Sequence, residues 1–440
     1  MEGETSWEFH TVSLQSNETA QYESFTEING RNNEETLVSL EAILPDDILE
    51  KVFSFMPIVC VIRLSSVCWR WYRVVHSMSS WTSMLPQKPW YFMFTSSASI
   101  SGHAYDPSLR KWYSITLPCH VKSNWVSSSS CGLVSFMENE KSSEICIFNP
   151  LVRGWGILQG PAGGDNPDYS ALAMSVNKKS NSYTLAVAKS RQVPGDHLQW
   201  DFSVDIYESE SCSWVNSIRE VLMGWRGGDE SVICNGVLYC LIYTTGIVRA
   251  TERRHGLIAH DLSGRSHCSS LLSMAISVPC SLTCGRLMNL KDRLVMVGGI
   301  GKPDRPDIIK GIGIWELHKK EWREVARMPH RFFQGFGEFD DVFASCGMED
   351  LVYIQSYGAP ALLVYDMSQK QWRWSVRCPV PKRNYHFFPV NLPAYNHPEE
   401  YLEMNAESRN RAIYSAFELE ASLYAYMLIR AERNPFYQLL

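Results

Sequence analysis

The chain has no apolar run that reaches the roughly 18 residues a membrane-spanning helix needs. Its first residues carry Glu2, Glu4 and Glu8 and no apolar core, which does not fit a signal peptide. No charge dominates: 41 Lys and Arg stand against 47 Asp and Glu, a net charge of −6, so no global field favours nucleic acid or an acidic membrane. The 13 cysteines are odd in number, scattered and contain no CxxC pair. That fits reduced thiols in the nucleus or cytoplasm better than a secreted disulfide scaffold.

Catalytic patterns are also missing. Gly298-Gly299-Ile300-Gly301-Lys302 lacks the upstream glycine of a phosphate loop, and Pro303 stands where Ser or Thr would bind magnesium. It reads instead as a glycine pair in the turn after a strand. Gly264-Arg265-Ser266-His267-Cys268 lacks the second glycine of a nucleophile elbow. Cys280 and Cys284 near His267 and Cys268 do not have zinc-ligand spacing. His255, His260 and His267 have no accompanying nucleophile and read as loop or packing residues. The expectation is a non-catalytic protein with no cofactor and no metal.

What the chain has in abundance is aromatic residues, with 15 tryptophans among 440 residues. Four regions are expected. Residues 1–40 are polar and poor in aliphatics, too poor to offset the entropy of ordering. Residues 41–85 form a helical module. Pro45 suits a first helical turn, with Asp46 and Asp47 at the positive end of the dipole. Ile48, Leu49, Val52, Phe53 and Met56 make an apolar stripe, Pro57 stops the helix, and Ile62–Val75 is a second apolar run around Trp71. A segment this small leaves apolar surface for a partner to cover; the alternative is a helical hairpin packed on the rest of the chain.

Residues 89–392 repeat. An aromatic or apolar strand ends on an acid or Asn, and a large ring follows: Tyr105-Asp106 with Trp112, Phe148-Asn149 with Trp155, Tyr207-Glu208 with Trp214, His260-Asp261 with His267, Trp315-Glu316 with Trp322, and Tyr365-Asp366 with Trp372. The interval, roughly 45–60 residues, is that of a four-stranded propeller blade. The acid caps a turn and the ring seals one blade against the next. Six blades are predicted in preference to a two-sheet sandwich. The first blade lacks an innermost strand, which Arg383–Val390 can supply. Residues 393–440 read as a helical tail, docked on the propeller rim or binding a partner. The fold class is therefore α+β and multidomain.

The module resembles an F-box, the segment by which substrate receptors attach to the Skp-type adaptor of a cullin–RING ubiquitin ligase. Leu44, Pro45, Ile48, Leu49, Val52, Phe53, Ile62, Val67, Cys68 and Trp71 fall on that pattern, and the resemblance makes them the adaptor-binding set. The repeats resemble kelch units. The combination is similar to plant F-box/kelch-repeat proteins, with likeness over about 40–380 in Pro89–Phe94, Gly224–Gly228, Cys280–Asn289 and Arg331–Phe339. Such chains usually end soon after a short closing strand, whereas this one continues into its tail.

The resemblance implies the substrate-recognition subunit of an SCF-type ligase, with cullin and RING subunits reached through the adaptor and an unidentified protein as target. The alternative is a non-degradative scaffold or transcriptional cofactor that retains adaptor binding. In a propeller, loops joining second to third strands share a face with those joining successive blades. On that face fall Arg191, Trp200, Trp225, Arg226, Arg253, Arg254, Arg305, Arg331 and Phe332. Arginines interleaved with aromatics suit an acidic or phosphorylated peptide; RNA is the weaker competitor, since no RNA-binding signature is present.

Overall fold

The computed structural model describes residues 44–56, 58–65, 67–77, 90–95, 101–116, 125–130, 133–138, 144–149, 154–161, 167–177, 180, 182–246, 254–263, 270–302, 308–336, 343–356, 361–377 and 385–390. The expected N-terminal segment and C-terminal helical tail lie outside these residues. The described residues fall into two compact units, a helical one over 44–77 and a β-rich one over 90–390.

The helical unit contains α1 (Asp46–Ser54), α2 (Ile58–Leu64) and α3 (Trp69–Ser77). The Pro45 carbonyl accepts from the amides of Ile48 and Leu49 at 3.1 and 3.0 Å, which starts α1. Asp46 and Asp47 occupy its first turn and Lys51 its last, each complementing the dipole. Leu49, Phe53 and Met56 lie on one face and are buried with Val61, Leu64, Trp71, Val74 and Val75. The second apolar run divides between α2, which ends at Leu64, and α3, which begins at Trp69.

The β unit is six four-stranded antiparallel sheets. In chain order the strands are β1 (Trp90–Thr95), β2 (Ser101–Asp106), β3 (Lys111–Thr116), β4 (Trp125–Ser130), β5 (Leu133–Glu138), β6 (Glu144–Asn149) and β7 (Gly154–Gln159). Next come β8 (Tyr169–Asn177), β9 (Ser182–Gln192), β10 (Gln199–Glu208), β11 (Ser213–Met223), β12 (Trp225–Cys234), β13 (Val237–Thr244), β14 (His255–Asp261) and β15 (Ile276–Ser277). The last are β16 (Leu282–Leu290), β17 (Arg293–Gly301), β18 (Ile309–His318), β19 (Glu321–Arg327), β20 (Phe343–Met348), β21 (Leu351–Ser356), β22 (Leu363–Asp366), β23 (Gln371–Trp374) and β24 (Tyr385–Val390). A short helix, α4 (His330–Phe336), connects the fifth blade to the sixth.

The innermost strands β24, β4, β8, β12, β16 and β20 touch in sequence and close the ring, which makes the unit a six-bladed propeller. The missing inner strand of the first blade comes from the far end: Tyr385–Val390 pairs antiparallel with Trp90–Thr95. Asp106 accepts from the amides of Ser108 and Leu109, and Asp366 from those of Ser368 and Gln369, capping equivalent turns.

Three of the repeated tryptophans tie blades together through the indole N–H as well as the ring. Trp112 donates to the Val376 carbonyl after the sixth blade (3.1 Å), Trp214 to Gln159 in the second (2.8 Å), and Trp322 to Ser277 in the fourth (3.0 Å). Each donor reaches the outer end of the preceding blade.

Two expectations need correction. The third strand of the fifth blade does not end on Glu316: it runs to His318, which a two-residue turn joins to Glu321, so Trp322 stands opposite Leu317. The pair Gly298-Gly299 is not a turn but lies inside β17. A Cβ on Gly298 would meet Leu282 Cδ2 at 2.7 Å, and one on Gly299 would meet Thr283 Oγ1 at 2.4 Å. Glycine is needed there because neighbouring side chains occupy the strand's surface.

Candidate docking and recognition surfaces

The helical unit divides the sequence-predicted set into an interior and an outer face. Leu49, Phe53 and Trp71 are buried, with the Phe53 and Trp71 rings edge to face at 5.3 Å. They act by building the module. Leu44, Val52, Val67 and Cys68 are half-buried and Pro45 is exposed. Ile62 lies in α2. Ile48 is 41% exposed, although its stripe neighbours are inside.

Two residues outside that set join Ile48 as exposed large apolar groups: Phe55 at 46% and Trp69 at 54%. Trp69 is stacked flat on Tyr72, centroids 5.1 Å apart. Arg70 holds the start of α1 to α3, donating to Asp46 Oδ1 at 2.7 Å and to the Leu44 carbonyl. Helical spacing shows that a stripe exists, but Trp69 and Phe55 fall at helix ends, where periodicity gives no facing.

On the propeller, the structure gathers part of the predicted arginine–aromatic set at the seam of the third and fourth blades. Arg226 is the second residue of β12, the innermost strand of the fourth blade. Its guanidinium lies over the Tyr169 ring at 3.8 Å and near the Tyr243 ring at 4.8 Å, and donates to the Gly227 carbonyl at 3.1 Å. Trp200 is buried against Tyr169 with centroids 5.8 Å apart, and its indole donates to the His197 carbonyl at 3.2 Å. Trp225 is half-buried beside Gly256. Arg191 is exposed at the end of β9, and Arg254 is half-buried just before β14.

Backbone bonds stitch the loops of this face together. Gly224 donates to Leu198 at 2.7 Å, Thr245 to Gly224 at 3.0 Å, and Thr244 to Arg254 at 3.0 Å. Gly224 has φ +73°, the left-handed region that glycine adopts without strain. Asp196 braces the first of these loops through Leu198 N and Gln199 Nε2. The glycine pair Gly227-Gly228 is the sequence signal for the clamp: a Cβ on Gly228 would sit 2.2 Å from Tyr243 Cε2.

Charge around the clamp is uneven. His255 touches Tyr243 edge-on at 4.8 Å and is only 4% exposed. Burial, with Arg254 and Arg226 nearby, pushes its imidazole down to about 4, so it is neutral at pH 7. Burial also raises the Tyr243 hydroxyl, aided by Asp229 and Glu230. Along the inner strands, Arg286 on β16 pairs with Glu230 at 2.6 Å, lies 3.9 Å from Asp229, and donates to the Phe343 carbonyl at 3.2 Å. Burial pushes the Glu230 carboxyl up to about 7, with Arg286 opposing it. Burial would lower Arg286, but Glu230 and Asp229 outweigh it and hold it cationic.

The remaining predicted residues are elsewhere. Arg331 and Phe332 lie on α4, the guanidinium 5.0 Å over its neighbour's ring and Phe332 6.2 Å from Trp374. Arg253 and Arg305 fall outside the described residues. Tyr169, Tyr243, Asp229, Glu230 and Arg286 were absent from the predicted set, because their meeting depends on strands from three blades.

Residues 42–83 match the F-box domain, so the class is an F-box followed by a propeller. An F-box/kelch-repeat protein of Arabidopsis thaliana is 50% identical over 405 residues, covering 89% of this chain and 97% of its own length. The chain belongs to the plant F-box/kelch-repeat proteins. More distant relatives from the same plant include UNUSUAL FLORAL ORGANS, 23% identical over 372 residues (76% of this chain, 78% of that one). F-box only protein 13 is 29% identical over 393 residues (79% of this chain, 84% of that one).

Proposed function

We propose that the chain is the substrate-recognition subunit of an SCF-type ubiquitin ligase. The helical unit docks a Skp-type adaptor, which brings the cullin and RING subunits, and the propeller holds the target protein. The observation that carries this reading is the joining, in one chain, of an F-box with Ile48, Phe55 and Trp69 exposed to a closed propeller with a built arginine–aromatic clamp. The chain's contribution to ubiquitin transfer is proximity: it holds a target lysine near the charged conjugating enzyme, which lowers the entropic part of the barrier. Its free cysteines, several of them buried, fit work in a reducing compartment, the nucleus or the cytosol.

The test uses the exposed residues, so that folding is not the variable. The intact chain and an Ile48→Glu/Trp69→Glu variant are each co-purified with a Skp-type adaptor. Placing two carboxylates in an apolar contact is expected to weaken the complex at least ~100-fold while the circular dichroism spectrum and Tm stay as in wild type. An intact, folded chain that binds no adaptor would overturn the reading, as would a variant that binds undiminished. A target whose level rises on proteasome inhibition separates the degradative reading from a scaffold.

A further inference from the structure

Taking the propeller as the target-binding unit, we infer that Arg226 is the anchor for one anionic side chain of the target, a carboxylate or a phosphate, received at the seam of the third and fourth blades.

The first argument is the state of the guanidinium. Among the described residues no carboxylate pairs with Arg226: its contacts are two tyrosine faces and one backbone carbonyl. Other arginines are satisfied by acids, Arg219 by Asp201, Arg286 by Glu230 and Arg327 by Glu324. A half-buried guanidinium held flat by aromatic faces keeps its N–H edge available and loses little freedom when an oxyanion arrives. Arg331 lies over only one ring, that of its own neighbour, and is exposed on a short helix. It is the poorer anchor.

The second argument is what surrounds it. Two buried polar atoms with no hydrogen-bond partner lie beside the clamp: Nδ1 of His255 at the start of β14, against the Tyr243 ring, and Oγ1 of Thr245 just after β13, whose amide bonds the Gly224 carbonyl. Buried polar atoms left open in this way are uncommon, and a bound group or water ordinarily completes them. The third argument is charge. Arg286 is matched by Glu230, whereas Arg226 has no carboxylate partner among the described residues, so a single anion is its complement. A polyanion would meet Asp229 and Glu230 as it extended, in a chain whose net charge is −6, which favours a peptide side chain over a nucleic-acid backbone.

The fourth argument is rigidity. The loops around Arg226 are bonded to one another through Leu198, Gly224 and Thr245, so the clamp exists before any ligand does. Preorganisation of this kind makes selection depend on the ligand's chemistry and not on closure of a lid.

The test captures immobilised peptide libraries of random sequence on the full chain. Their fixed central residue is glutamate, phosphoserine, glutamine or serine, and an oligouridine strand is run in parallel. Retention of the glutamate or phosphoserine library at least ~10-fold above its neutral counterpart is expected, with the preference abolished in Arg226→Met, which keeps the stem between the rings. Arg226→Lys is expected to retain part of it, and Tyr169→Phe nearly all. Preference for both anionic libraries assigns a carboxylate reader, and preference for phosphoserine alone a phosphate reader. Equal retention of all four libraries would overturn the inference, as would an undiminished preference in a folded Arg226→Met, or tighter retention of oligouridine. Adaptor binding is scored on the same preparations. Adaptor binding without anion preference sinks only this inference, whereas anion preference without adaptor binding sinks the ligase reading and leaves the anchor in place.

Discussion

The indole ties make a quantitative claim about which seam holds the ring. Trp112 is buried, and its N–H crosses from the first blade to the Val376 carbonyl after the sixth, beside the blade in which the propeller's first and last strands pair. Its ring also packs on Tyr105 and Tyr91, centroids 5.1 and 6.5 Å away. Trp112→Phe keeps an aromatic ring and removes the donor. The lost hydrogen bond is worth about 1–1.5 kcal/mol, because no water readily replaces the donor at a buried site. The smaller ring leaves a void that adds about 1–2 kcal/mol. The expected cost is therefore about 2–3.5 kcal/mol. In Trp322→Phe the same bond is lost at an exposed position, where water satisfies the Ser277 carbonyl, so about 0.5–1 kcal/mol is expected. Thermal and urea unfolding of both variants, followed by tryptophan emission and by far-ultraviolet dichroism, gives the comparison. At about 2 °C per kcal/mol for a domain of this size, Trp112→Phe lowers Tm by about 4–7 °C and Trp322→Phe by no more than about 2 °C. Equal effects of the two substitutions would refute the reasoning, since the void and the buried donor would then contribute nothing at the closing seam.

The other expectations are narrower. Gly228→Ala places a Cβ 2.2 Å from Tyr243 Cε2 and is expected to cost about 1–3 kcal/mol and to reduce anion preference, whereas Gly246→Ala, with nothing within 4 Å, is neutral; Tm and library retention measure both. Burial holds the Glu230 carboxyl at about 7 in the folded state against an ordinary 4.5, so the folded protein binds that proton more tightly than the unfolded chain. Its contribution is full below pH 4.5 and is lost as pH rises through 7. Wild-type Tm is therefore expected to fall relative to Glu230→Gln between pH 5 and pH 8, and a pH-independent difference would contradict this.

Some of this architecture was legible because the chemistry is local. The turns after Asp106 and Asp366 carry their own acid cap and place a tryptophan opposite a tyrosine, so spacing alone identified them. The fifth blade defeated the same rule. Lys319 and Lys320 both have positive φ, at 48° and 69°, the geometry of a tight turn in which Asn and Gly are the usual residues. With two fewer residues in the turn, Trp322 moves to face Leu317. In α1 the periodicity located the apolar stripe but did not separate Ile48 from Leu49, since a helix's inner edge is defined by what packs on it. The closing strand was legible for a topological reason: a first blade with no inner strand leaves a position that only the other end of the chain can fill.

The Arg226 clamp was half legible, and the missing half explains why it works. Arginine and tryptophan on neighbouring loops can be read from sequence, but the two rings that hold the guanidinium come from β8 and β13, in different blades. Behind them, Arg286 on β16 links Glu230 on β12 to the Phe343 carbonyl on β20, so one side chain joins the inner strands of three blades. A buried ion pair of this kind adds little net stability, because desolvation cancels most of its attraction. What it adds is fixed position: loss of either partner leaves an uncompensated charge, so the inner strands cannot slide without breaking it. The recognition site thus rests on a part of the propeller whose geometry is held by charge, while the outer seams are held by indole N–H groups. Substitutions at the rim should therefore change stability and leave target preference intact. Substitutions at Tyr243, Gly228 or Arg286 should change preference even when the fold survives.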